Sequence, residues 1–161
     1  PPGRWLSLFP EVGVQRKRGG ADEPQPAPGQ MIRHYAPKAE LTLYEGPAQA
    51  VRRRIAADVR TATAAGDRVG ILAPEEDLSA LAPELAARAS SGRIETVPYG
   101  SRSDLERSAR ELYASIRALD ATGVARIFAV GVGAEGLARA IHDRLSRAAD
   151  GRIKAVAGGK P

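Results

Sequence analysis

The chain has 161 residues, 43% hydrophobic but only 4% aromatic, which suits one globular domain whose core is built from Ala, Leu, Val and Ile rather than rings. Having no cysteine excludes a disulfide framework and thiolate metal sites, and no apolar run approaches the roughly 20 residues that cross a bilayer. A net charge of +5, from 24 Lys and Arg against 19 Asp and Glu, does not by itself mark a nucleic-acid binder.

Residues 1–27 read as irregular. Pro1, Pro2, Pro10, Pro24 and Pro26 remove backbone donors, and Gly3, Gly13, Gly19 and Gly20 favour open turns. Trp5-Leu6-Ser7-Leu8-Phe9 is too short for a signal-peptide core and ends at Pro10, so a cytoplasmic location is expected. The cationic run Arg16-Lys17-Arg18 is explained by solvation.

Residues 28–39 form a proline-bounded segment carrying Arg33, His34, Tyr35 and Lys38. An extended backbone sends alternate side chains to opposite faces, so Arg33 and Tyr35 share one side and His34 takes the other. Pro28 and Pro37 stiffen the ends, which lowers the entropy lost on docking. Two cations, an imidazole and a phenol so disposed can lie across an anionic ligand.

From Glu40 to about residue 157 strand and helix patterns alternate, leaving residues 158–161 as a tail. Leu41 to Tyr44 reads as a strand. A helix follows with Val51, Ile55, Ala56 and Val59 on one face and Gly66 as its stop. The run Arg68 to Ala73 reads as a strand buried on both faces. The next helix carries Leu78, Leu81, Leu85 and Ala89, with Pro83 predicting a start near Ala82 or a kink there. Glu75-Glu76-Asp77 is explained by the helix dipole.

Ile94 to Val97 is a third strand. Ser103 as N-cap and Glu106 as its capping-box partner then open a helix with the stripe Leu105, Ala109, Leu112, Ile116 and Leu119. Ala125 to Val130 is a fourth strand, followed by a helix around Leu137, Ile141, Leu145 and Ala148. Residues 152–156 offer a fifth strand. Short strands that each return through a helix predict a doubly wound parallel α/β sheet of four or five strands in three layers, with right-handed crossovers.

Gly131, Gly133 and Gly136 match G-x-G-x-x-G between a strand and a helix, so their N–H groups could face a phosphate. The motif follows the fourth strand rather than the first, and no acid closes the next strand for a ribose. Glycines serving a tight turn are the plainer reading. A stand-alone nucleotide-binding module on this turn is the alternative function. Two histidines and no carboxylate cluster leave no metal site, and His142 reads as a partly exposed surface residue. Ser7 and Ser79 have no nearby base, so no catalytic residue is assigned.

Pro28-Gly29 followed by His34-Tyr35-Ala36-Pro37-Lys38 resembles the interdomain linker of two-domain threonylcarbamoyl-AMP synthases. Arg68 to Ala73, Gly100-Ser101-Arg102, Leu119-Asp120, Gly123-Val124 and the last helix are similar to that family's C-terminal domain, over roughly residues 26 to 153. The resemblance implies a small Rossmann-like domain. It also implies an enzyme that makes threonylcarbamoyl-AMP from L-threonine, bicarbonate and ATP for tRNA threonylcarbamoyladenosine, with ATP and a divalent metal such as magnesium held by a YrdC-like catalytic domain.

On that resemblance, Arg33, His34, Tyr35 and Lys38 face the catalytic cavity from the linker. The chain needs no membrane and no direct tRNA contact. Only about 27 residues precede the linker, whereas a catalytic domain needs roughly 150–200. The chain is therefore expected to be a fragment, a split gene product or a free-standing accessory domain, inactive alone and carrying no cofactor of its own.

Overall fold

The computed structural model describes residues 36–89 and 91–158. Their order is β1 (Glu40–Glu45), α1 (Ala48–Ala64), β2 (Val69–Ala73), α2 (Glu75–Ala89), β3 (Ile94–Pro98), α3 (Leu105–Asp120), β4 (Arg126–Val130), α4 (Ala138–Ala149) and β5 (Ile153–Ala155). All strand pairs are parallel, and the sheet runs β3-β2-β4-β1-β5.

The period-2 alternation of the strands divides the core into two layers. Leu41, Leu43, Leu72, Ile127 and Ala129 face α3 and α4, meeting Leu112, Ile116, Leu119, Ile141 and Leu145. Tyr44, Val69, Ile71, Phe128 and Val130 face α1 and α2, meeting Val51, Ile55, Val59, Leu81 and Leu85. Each such aliphatic side chain stabilises the fold by about 1.5–3 kcal/mol relative to exposure. Gly70 sets how closely α3 approaches the sheet, since a Cβ there would lie 2.8 Å from Leu119.

Three local readings are corrected. The helix carrying Pro83 starts at Glu75 rather than near Ala82, because the Asp77 and Leu78 amides close its first turn on the Pro74 carbonyl. Helix α3 is capped by Asp104, whose carboxylate accepts the Arg107 N–H, and not by Ser103. Ser103 instead pairs its hydroxyl with that of Ser101. Leu137, assigned above to the apolar stripe of the last helix, precedes that helix and is 67% exposed.

Strand order leaves one part of the sheet bare. Helix α1 leaves β1 towards β2, crossing away from β5. Helix α1 therefore covers β1 only in part, at Tyr44, and β5 is exposed along its length.

Candidate functional site

Of the linker residues singled out above, Arg33, His34 and Tyr35 lie outside the described residues. Lys38 lies within them, with an exposed side chain. Its backbone is held firmly. The Lys38 N–H donates to Asp120 Oδ2 at 2.9 Å, and the Ala39 N–H donates to Asp120 Oδ1 at 2.9 Å. The next amide, of Glu40, donates to the Ala125 carbonyl at 3.0 Å and begins β1.

One carboxylate thus takes two consecutive amides on its two oxygens, which fixes position and direction together. Asp120 can do this because it ends α3 beside Leu119, whose buried side chain anchors the helix terminus. A carboxylate at a helix C-terminus opposes the macrodipole. Two charge-assisted bonds outweigh that cost. Pro37, directly before the clamp, has no N–H to satisfy and a restricted φ.

The glycine turn lies at the other end of the strands, after β4. Gly131 N–H bonds the Tyr44 carbonyl at 3.0 Å. Gly133 and Gly136 have φ of 102° and 61°, values that favour glycine on steric grounds. Helix α4 begins only at Ala138, with no side-chain cap. The turn is brought together as the motif suggested, and the positive φ values account for the glycines at 133 and 136. No acid follows on β5, whose residues are Ile153, Lys154 and Ala155.

The same carboxyl edge holds an ion cluster that the sequence reading missed. Asp77 is fully buried. Its carboxylate accepts Arg102 Nε at 2.7 Å and Arg102 Nη2 at 3.0 Å, with Arg52 Nη1 at 3.3 Å. The helix dipole is therefore not its main role. Glu76 accepts the Ser101 hydroxyl and, at 3.0 Å, the Arg102 N–H. The bond to Asp77 holds the Arg102 guanidinium above its ordinary pKa against burial, and the bond from Ser101 holds Glu76 below the usual carboxylate value. These contacts tie the loop after β3 to the start of α2. His142 is half-buried, with Nδ1 2.6 Å from Glu45 Oε2. Among the described residues no group of three His, Cys, Asp or Glu could hold a metal ion, and no helix is long and apolar enough to cross a membrane.

Comparison with known proteins brings these features together. The family described as threonylcarbamoyl-AMP synthase, C-terminal domain, matches residues 7–150. That match starts well before residue 26, where the motifs above began. The chain is 34% identical over 128 residues to the threonylcarbamoyl-AMP synthase of Pyrococcus abyssi, covering 79% of this chain and 33% of that protein. It is 30% identical over 142 residues to the enzyme of Bacillus subtilis, covering 88% and 37%. The chain thus spans about a third of the length of these relatives.

Among solved structures, Pyrococcus abyssi Sua5 complexed with L-threonine aligns with a TM-score of 0.60 at 32% identity, over 75% of this chain and 31% of that one. The C-terminal Sua5 domain from Pyrococcus horikoshii aligns with a TM-score of 0.53 at 29% identity, over 76% of this chain and all of that one.

Proposed function

The chain belongs to the threonylcarbamoyl-AMP synthase C-terminal domain family, and from that premise we propose that it is the accessory domain and active-site linker of such a synthase. Its catalytic partner, in the same or a separate chain, is a YrdC-like domain. It makes threonylcarbamoyl-AMP from L-threonine, bicarbonate and ATP for tRNA modification in the cytoplasm, as a nucleotidyltransferase.

The observation that carries this reading is the Asp120 clamp on the Lys38 and Ala39 amides, directly after Pro37 at the end of the linker. In this reading the linker is a lid over the catalytic cavity. Arg33 and Lys38 are the cations offered to ATP or product, and His34 and Tyr35 exclude water from the activated carbamate. A relative supports the choice of residues: a Pyrococcus abyssi Sua5 variant with a consecutive histidine and tyrosine replaced by alanine is among the structures this chain matches, at 30% identity and a TM-score of 0.59. His34-Tyr35 is the single His-Tyr pair in this sequence.

ATP and a divalent metal belong to the catalytic domain in this reading. The described residues offer no donor set for the metal, so no step is assigned to it here. The test mixes the purified chain with a catalytic domain and follows pyrophosphate release that depends on ATP, threonine and bicarbonate. The unmutated chain raises the rate, while His34→Ala and Tyr35→Ala do so much less. Equal stimulation by all three would remove the lid.

A further inference from the structure

The bare part of the sheet, beside β5 on the α1 face, holds a cavity of about 590 Å³. Phe128 and Thr42 are cross-strand partners on its floor. Leu43 pairs with Ile153, so Arg152 stands one step earlier, beside Thr42 on the next strand. Helix α1 supplies a wall through Asp58, Thr61 and Ala62.

Two groups there have unused bonding capacity. Thr42 lines the cavity, and its hydroxyl makes no hydrogen bond among the described residues. Arg152 donates Nε to the Leu41 carbonyl at 3.0 Å and pairs with no carboxylate among the described residues.

Every acid on the rim is matched to some other cation. Asp58 takes Lys154 at 3.1 Å and Arg54 at 3.3 Å, while Arg126 takes Glu40 at 2.7 Å and Asp67 at 2.9 Å. The cavity therefore offers one unneutralised guanidinium, one free hydroxyl and an apolar floor.

We propose that this cavity binds a small monocarboxylate. The carboxylate accepts from the Arg152 Nη groups and the Thr42 hydroxyl, and its apolar body rests on Phe128 and Ala62. Size favours a small ligand over a docked domain. Sites for small molecules enclose roughly 300–1,000 Å³, whereas a stable protein interface covers about 800 Å² on each partner. The three rim carboxylates select against phosphates, which carry more negative charge.

The experiment titrates the isotope-labelled chain with benzoate, and with benzamide as its neutral isostere, observed by nuclear magnetic resonance. Benzoate is expected to give saturable shifts at the Thr42 and Phe128 amides and at Arg152 Nε–H. Benzamide should not saturate. Arg152→Gln lowers the affinity about tenfold, from the loss of a charge-assisted pair. Thr42→Val, which keeps the side-chain shape and so spares the fold, lowers it about fivefold, the usual effect of one neutral hydrogen bond. Non-saturating shifts, equal binding of benzamide, or unchanged affinity in Thr42→Val overturns the proposal. So does a catalytic domain that moves these same resonances when benzoate does not, because the cavity is then an interdomain seat.

Discussion

The two ends of the parallel sheet differ in what they leave available. At the carboxyl edge, where open α/β sheets commonly bind ligands, the charged groups answer one another: Asp77 takes Arg52 and Arg102, and Glu76 takes the loop after β3. The glycine turn there has its first amide engaged by Tyr44. At the amino edge, Asp120 holds the incoming chain, and Thr42 and Arg152 keep open valences. A fold family's usual binding edge is thus a poor guide here. The distribution of unmatched groups points to the opposite end.

The largest effect is expected at the carboxyl edge, on stability alone. Asp77→Ala strands two guanidiniums around a buried void, at a cost of about 2–4 kcal/mol, less than for a fully buried pair because both arginines reach solvent. Urea unfolding would show it as a lower midpoint with an unchanged slope. Asp77→Asn, which keeps acceptors for Arg102, should lose less.

Asp120→Ala comes next and should act differently. It removes two partly exposed charge-assisted bonds, costing about 1–2 kcal/mol, and the loss should be local. The Lys38 and Ala39 amides would exchange with solvent faster, while those of β2 and β4 keep their protection. Gly133→Ala forces a Cβ onto a backbone with φ of 102°, at about 1–2 kcal/mol. It should leave stimulation of a catalytic domain intact, which separates the lid reading from a phosphate-binding turn.

The smallest effect is a pH dependence around the cavity wall. Asp58 is pushed up by burial, but hydrogen bonds from Tyr44 at 2.6 Å, Lys154 and Arg54 outweigh this and hold it below its ordinary value. Desolvation by burial, and next the same bond to Asp58, push the Tyr44 phenol well above its ordinary value. A depressed carboxylate stabilises the fold above its unfolded pKa and loses that contribution as pH falls below about 4. A raised phenol stabilises it below its unfolded pKa and loses that contribution as pH rises beyond about 10. Tyr44→Phe should therefore lower stability modestly at neutral pH and flatten the alkaline limb of thermal unfolding against pH. An unchanged alkaline limb would assign that limb elsewhere, to Tyr99 among others, whose burial raises it as well.

Much of the fold was legible because it is written in local periodicity. The stripe Val51, Ile55, Val59 and the run from Val69 to Ala73 each name a face or a depth without reference to the rest of the chain. Asp77 was not legible as a buried ion. Its partners Arg52 and Arg102 each lie 25 residues away, on opposite sides in sequence, and an acid in a helix's first turn already has a local explanation. The Asp104 cap was missed because Ser103 offered an equally good local pattern one residue earlier.

The cavity had no sequence signal at all. It exists because β5 joins the sheet beyond β1 while α1 turns the other way, and strand order is not a local property. The Asp120 clamp was half legible: Leu119-Asp120 stood out by resemblance, but its contact with Lys38 spans 82 residues.

The most direct measurement is pyrophosphate release by a catalytic domain mixed with the unmutated chain, Asp120→Ala or Gly133→Ala, each first shown to be folded. If the amino edge presents the lid, Asp120→Ala loses most of the stimulation and Gly133→Ala keeps it. Full stimulation by Asp120→Ala, with loss in Gly133→Ala, would contradict that and move the functional site to the glycine turn.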